Sequence, residues 1–195
     1  MVILRWKMDR KQWILDAATE CFSEYGYKGT SVEQVAKRAN VGKGTIYTYF
    51  KNKEELLQVI MMRVVQRFEL SLEKNVVAHV PFHENAQQVL KDFLKFQKEN
   101  ALTFQLFKEM RELKTAEVVT IVQEFEDCIL ALLKKQLNVA VQNGEIVACN
   151  LELTAFLTYH MYLALVAEWS KRHKPLTDEE ISKVFQLFFC GGLMR

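Results

Sequence analysis

The chain has 195 residues, half of them apolar and 26% charged, with only 2 Pro and 7 Gly. That supports a sizeable core in one large or two small domains and excludes a disordered or collagen-like chain. Net charge is only +2, yet residues 1–53 carry ten Lys or Arg against five acids, leaving the remainder net −3. A boundary drawn past Glu54 and Glu55 lowers the first figure to +3, so the chain reads as a moderately basic module on a neutral or acidic body.

Cys21, Cys128, Cys149 and Cys190 are scattered, with no close pair and no His at zinc-finger spacing. They read as reduced thiols of a cytoplasmic protein. The opening "MVILRWKMDRK" has too short an apolar run for a signal peptide. Met8 serves equally well as a start, which makes the residues before it a disordered arm. The most apolar run, "LTAFLTYHMYLALVA", has about 15 residues and contains His160, short of the roughly 20 that span a bilayer. No membrane span and no metal or other cofactor is expected.

In chain order, Ile14, Ala17, Ala18, Cys21, Phe22 and Tyr25 form one apolar stripe, so a first helix is predicted over Arg10 to Tyr25, stopped by Gly26. Ser31 with Gln34 makes a capping box that opens a second helix whose inner face is Val32, Val35, Ala36 and Ala39. Asn40 tolerates a positive φ and ends it. Gly42 is the next N-cap, and a third helix runs from Lys43 to Phe50 with Ile46 and Phe50 pointing inward. A fourth starts near Lys53 with Leu57, Ile60, Met61, Val64 and Phe68 inside. "HVPFHE" breaks the chain before a fifth helix over Glu84 to Glu99, and Asn100 separates that from "ALTFQLFKEMRELK". A long helix follows from Ala116 to Asn143, stopped by Gly144. Asn150 caps another that ends before Pro175, and Thr177 with Glu180 opens a last helix that runs through Phe189 to Gly191. No strand-like alternation, repeat or low-complexity segment is present.

Two short helices joined by "ANVG" and backed by a longer one make a helix-turn-helix, whose second helix enters the major groove of DNA. Ile46 and Phe50 anchor that helix, leaving Lys43, Gly44, Thr45 and Thr48 outside with Tyr47 and Tyr49 at the flanks. Gly44 lets the backbone approach DNA. A threonine can bond a base edge or offer its methyl to thymine. Tyr and Lys reach phosphate oxygens, and the N-terminus of the Ser31 helix adds an anion site. The stretch "GKGT" lacks the spacing of a phosphate loop.

The segment "TSVEQVAKRANVGKGTIYTYFKNKEELL" resembles the DNA-binding segment of the TetR family of transcriptional repressors. Ser31, Ala36, Ala39, Val41, Gly44, Tyr47, Tyr49, Phe50 and Lys53 match the family pattern, while Asn40 stands where Gly is usual and Gly42 where Ser or Thr caps. The resemblance implies an all-α protein of about nine helices. Residues 1–53 would be a three-helix DNA-binding domain, and residues 54–195 an effector-binding and dimerisation domain. It also implies a homodimer on a palindromic double-stranded DNA operator, released when a small molecule enters a cavity among the middle helices. The DNA-binding candidates are Ser31, Glu33, Lys43, Gly44, Thr45, Tyr47, Thr48, Tyr49 and Lys53, with Lys53 on a phosphate.

Phe104, Phe107, Met110, Phe125, Ile129, Tyr159 and Tyr162 are candidates to line the effector cavity, and each reads equally well as plain core. A Met- and Phe-rich interior suits an apolar or amphipathic effector. Glu109, Arg111 and Glu168 read either as orienting a polar end of that ligand or as surface charges. His160 reads as a buried, satisfied histidine. His79 and His83 straddle Pro81, against a metal site. The last two helices carry more apolar residues than one inward stripe needs, so Phe156, Trp169, Phe185, Phe188 and Phe189 are assigned to a dimer interface. The reading is therefore a ligand-responsive repressor. The alternative keeps the DNA-binding head but has the body contact a protein partner. An enzyme is disfavoured because no activated nucleophile, metal cluster or cofactor loop is seen.

Overall fold

The computed structural model describes residues 2–75, 80–99 and 101–193. Among these residues the chain is helical and has no strand. Helix α1 spans Val2–Gly29 but is broken at Gly26, the expected stop, where φ 73° and ψ 175° are not helical; α2 spans Val32–Arg38, α3 Lys43–Tyr47, α4 Lys53–Asn75 and α5 Phe82–Glu99. Helix α6 covers Ala101–Leu113, α7 Ala116–Gln142, α8 Leu151–Leu163 and α9 Asp178–Phe185. Helix α8 runs on through a π turn at Ala164–Glu168 and a 3-10 turn at Trp169–Lys171. Helix α9 runs on through a second π turn at Gln186–Cys190 and a last helical turn at Gly191–Leu193.

Several boundaries follow the local chemistry of the sequence. Both capping boxes are formed: the Gln34 N–H donates to Ser31 Oγ at 3.2 Å, and the Glu180 N–H to Thr177 Oγ1 at 3.3 Å. Asn150 Oδ1 accepts from the Leu153 N–H at 3.0 Å and opens α8. Asn40 has φ 52°, the left-handed turn that shortens the link between α2 and α3. Other boundaries differ. Helix α1 begins at Val2, so the arm expected to be disordered is part of it. Helix α3 ends at Tyr47 rather than Phe50, and residues 48–49 continue as a turn in which the Tyr49 and Phe50 N–H groups both donate to the Ile46 carbonyl at 3.0 Å. The expected separators at His79 and Asn100 lie outside the described residues.

The chain divides into two compact units, Met1–Gln66 with Gln97–Phe125, and Arg67–Phe96 with Glu126–Arg195. Helix α6 packs along α1 and so groups with the helix-turn-helix. In the first unit Ile14, Phe22, Val35, Ile46, Phe50 and Leu57 are buried. The second unit has two apolar clusters. In one, Leu90 and Leu94 of α5 meet Tyr162, Ile181 and Phe185; in the other, Leu137 and Ala140 of α7 meet Ile146 and Ala155. Among the described residues, no helix is long and apolar enough to cross a membrane.

Candidate nucleic-acid interface and ligand cavity

Helix α3 has five residues, too few to persist alone in water. Support comes from behind: Ile46 and Phe50 are each only 2% exposed. With those two inward, the opposite flank is fixed by helical geometry. Lys43, Gly44, Tyr47 and Thr48 are exposed, and Thr45 and Tyr49 are half-buried. A Cβ built at Gly44 would meet nothing within 4 Å, so the fold itself does not require glycine there. Ser31 is half-buried as the cap of α2, and Glu33 on the same helix is exposed.

Lys43 and Glu33 form an ion pair that ties the start of α3 to the start of α2. Their hydrogen bond holds the Glu33 carboxyl below its ordinary range and the Lys43 ammonium above. Both side chains are exposed, so the pair is open to exchange with another anion. Arg38 is held by Glu24 at 2.6 Å, with Glu20 at 3.9 Å.

Lys53 points elsewhere than the phosphate expected for it. Its ammonium donates to the carbonyls of Tyr27 at 2.7 Å and Thr30 at 2.9 Å, and lies 4.1 Å from the centre of the Tyr27 ring. Burial lowers its pKa, against the raising influence of Glu109 and Glu117. Glu109 is 4% exposed, neither a surface charge nor a group oriented toward a ligand. Its carboxylate accepts from the Tyr27 N–H at 2.6 Å, the Lys28 N–H at 2.9 Å and the Thr115 hydroxyl at 3.1 Å. The Tyr27 peptide is thus clamped at both ends, by Glu109 on its own N–H and by Lys53 on its carbonyl. The clamp requires the chain to turn at Gly26, where φ is 73° and a Cβ would stand 2.5 Å from Glu109 Oε2.

The second unit contains a cavity of about 140 Å³. Phe82, Leu90 and Phe93 of α5, Leu133 and Gln136 of α7, and Tyr159 and Tyr162 of α8 contribute to its wall. Among the described lining residues the only formal charge is Glu145, and there is no Lys, Arg or His. Three of the sequence candidates, Ile129, Tyr159 and Tyr162, line it. Phe107, Met110 and Phe125 belong to the first unit instead, with the Phe107 and Phe125 rings 6.3 Å apart edge to face. The side chains of Phe104 and Arg111 lie outside those described. Sequence reading missed the contribution of α5, although its apolar positions repeat at helical spacing. Burial raises the pKa of both Tyr159 and Tyr162.

On α8, Leu153, Phe156 and Leu157 are exposed at i, i+3 and i+4, and Trp169, Leu187 and Phe188 are exposed further along the chain. The indole N–H of Trp169 donates to the Lys174 carbonyl at 3.2 Å, and its ring stacks on His173. Phe185, assigned from sequence to a dimer interface, is buried against Leu90, Leu94 and Ile181 of its own unit. It faces inward because the stripe Ile181–Phe185 at i, i+4 is the buried face of α9. The Phe189 side chain lies outside those described. His160 is half-exposed rather than buried, with Nε2 3.6 Å from Glu126 Oε1.

Residues 14–60 match the profile of "Bacterial regulatory proteins, tetR family". The chain is 41% identical over 186 residues to the HTH-type transcriptional regulator YhgD of Bacillus subtilis, covering 95% of this chain and 97% of that one. It is 30% identical over 144 residues to the fatty acid metabolism regulator protein of the same organism, covering 73% and 74%. The crystal structure of the transcriptional regulator FadR from Bacillus subtilis in complex with stearoyl-CoA superimposes with a TM-score of 0.70 at 25% identity, covering 89% of this chain and 94% of that one. Near-complete coverage by such a relative, with the helix-turn-helix in place, establishes that the chain belongs to the TetR family of bacterial transcriptional regulators.

Proposed function

We propose that this regulator is a repressor that binds a palindromic operator as a homodimer and leaves it when an apolar or amphipathic effector occupies the cavity of the second unit. The observation that carries the DNA half is the division of α3 into a buried side, Ile46 and Phe50, and an outward side bearing Lys43, Gly44, Thr45 and Thr48. The open space at Gly44 supports close approach of the helix backbone to the groove. Tyr47, Tyr49 and the N-terminal turn of α2 at Ser31 are assigned to phosphates, and Lys43 exchanges its Glu33 partner for one. Lys53 acts indirectly, by holding the turn that precedes α2. Residues 1–53 remain the DNA-reading module in this reading.

Homodimer formation is supported by Leu153, Phe156, Leu157, Trp169 and Phe188, exposed apolar groups that a second copy would cover. The effector half is supported by the apolar wall of the cavity and by the similarity to FadR, which carries stearoyl-CoA in its crystal structure. An acyl chain is therefore the first effector class to test. Operator sequences recovered from a random duplex pool should be palindromic, with half-sites about one or more helical turns apart. Gel-shift titration of that operator with long-chain acyl-CoA should release it. Release only by small, highly polar metabolites would defeat the effector assignment, and Phe156→Asp that leaves gel-filtration size unchanged would defeat the dimer assignment.

A further inference from the structure

Tyr159 combines three features that occur together nowhere else among the described residues. It lines the cavity, it is 2% exposed, and its hydroxyl is a buried side-chain polar atom with no hydrogen-bond partner there. A buried hydroxyl without a partner forfeits its hydrogen bonds to water, and native proteins rarely leave one so. Among the described residues the Tyr159 hydroxyl is the one buried side-chain N or O atom in this condition, and that of Tyr162 on the same wall is not.

From this we infer that the Tyr159 hydroxyl is the polar anchor of the effector cavity, donating a hydrogen bond to an uncharged acceptor on an otherwise apolar ligand, such as a ketone, ester or thioester carbonyl. The inference rests on the cavity being the effector site and specifies the ligand chemistry at that site.

The neighbourhood decides between a neutral and an anionic acceptor. A carboxylate taken into an apolar cavity needs a cation or several donors to offset its lost hydration. The described wall has no cation, and its single formal charge, Glu145, is negative. Glu126 also acts on Tyr159 electrostatically, and His160 at 3.6 Å from Glu126 is directed to that carboxylate. Both acids oppose a second negative charge. A carbonyl needs one donor, and among the described residues the Tyr159 hydroxyl is the fully buried one without a partner, while the amides of Gln87, Gln136 and Gln186 on the same wall retain access to water. A thioester fits the same requirement, provided its charged remainder stays outside the cavity.

The volume, about 140 Å³, is close to that of an engineered apolar cavity that binds benzene, so single-ring probes are suitable. Three of nearly equal shape separate the possibilities: isopropylbenzene, which is apolar; acetophenone, which has a neutral carbonyl; and benzoate, which is anionic. Binding is read by calorimetry on the full chain without DNA, for the wild type and Tyr159→Phe. The substitution should weaken acetophenone about tenfold, the loss of one buried hydrogen bond, and leave isopropylbenzene within about twofold. Benzoate should give no binding heat at concentrations at which acetophenone saturates. Equal affinity of acetophenone for both proteins, or benzoate binding as tightly as acetophenone, would overturn the inference. A thermal melt of Tyr159→Phe at or above that of the wild type shows that the variant is folded. The gel shift with the same ligands tests operator release separately, so failure of the anchor and failure of the effector reading are distinguishable.

Discussion

The two compact units treat their buried polar groups in opposite ways. In the first, Glu109 and Lys53 satisfy both ends of the Tyr27 peptide, and every contact is internal. In the second, the Tyr159 hydroxyl has no partner among the described residues, a cavity adjoins it, and Phe156, Leu157 and Phe188 face outward. A region completed from within is built to hold a shape. A region left incomplete is built to receive something. The first unit's outward residues on α3 are then the surplus of a finished scaffold, available for DNA.

The largest effect should come from breaking the scaffold. Glu109→Ala leaves the buried Tyr27 N–H and the part-buried Lys28 N–H without an acceptor and should cost about 3 kcal/mol in urea unfolding. Gly26→Ala forces a side chain into a left-handed backbone against Glu109 Oε2 and should cost about 1–3 kcal/mol. On the outward side, Thr45→Ala or Tyr49→Ala should weaken operator binding about tenfold, roughly 1.4 kcal/mol, while gel filtration shows an unchanged oligomer. Gly44→Ala sharpens the contrast further: it should stabilise the exposed helix by up to about 1 kcal/mol yet weaken DNA binding, a split that a purely structural glycine would not give. Tyr159→Phe should be neutral or stabilising, by about 1 kcal/mol, because it removes a hydroxyl that is buried without a partner. A loss of stability there would equate the two units and end the comparison.

How much of this was legible in the sequence follows the range of the interactions. Ser31 with Gln34, Thr177 with Glu180, and the stops at Asn40 and Gly144 act within a few residues, and all were readable. The inward pair Ile46 and Phe50 was readable because helical spacing fixes opposite faces. Glu109 was not, since its partners Tyr27 and Lys28 lie 82 and 81 residues away and its neighbours in sequence resemble any charged helix surface. Lys53 matched the family pattern, but a pattern records which residue is present and not the direction its ammonium takes. The cavity wall was legible only in small part: Ile129, Tyr159 and Tyr162 were named, whereas α5 enters through tertiary packing that periodicity does not specify. The π turns after α8 and α9 shift the face on which Trp169 and Phe188 emerge, a register change with no sequence signal of its own.

The decisive measurement is selection of binding sites from a random duplex pool by the wild type and by Gly44→Ala/Thr45→Ala, followed by titration of the recovered sequence with both proteins. The expected result is a palindrome enriched by the wild type, with affinity that falls steeply with salt and is lost about a hundredfold in the double variant. Enrichment of the same sequence with equal affinity by both proteins, or no enrichment by the wild type, would contradict the assignment of the outward side of α3 to DNA.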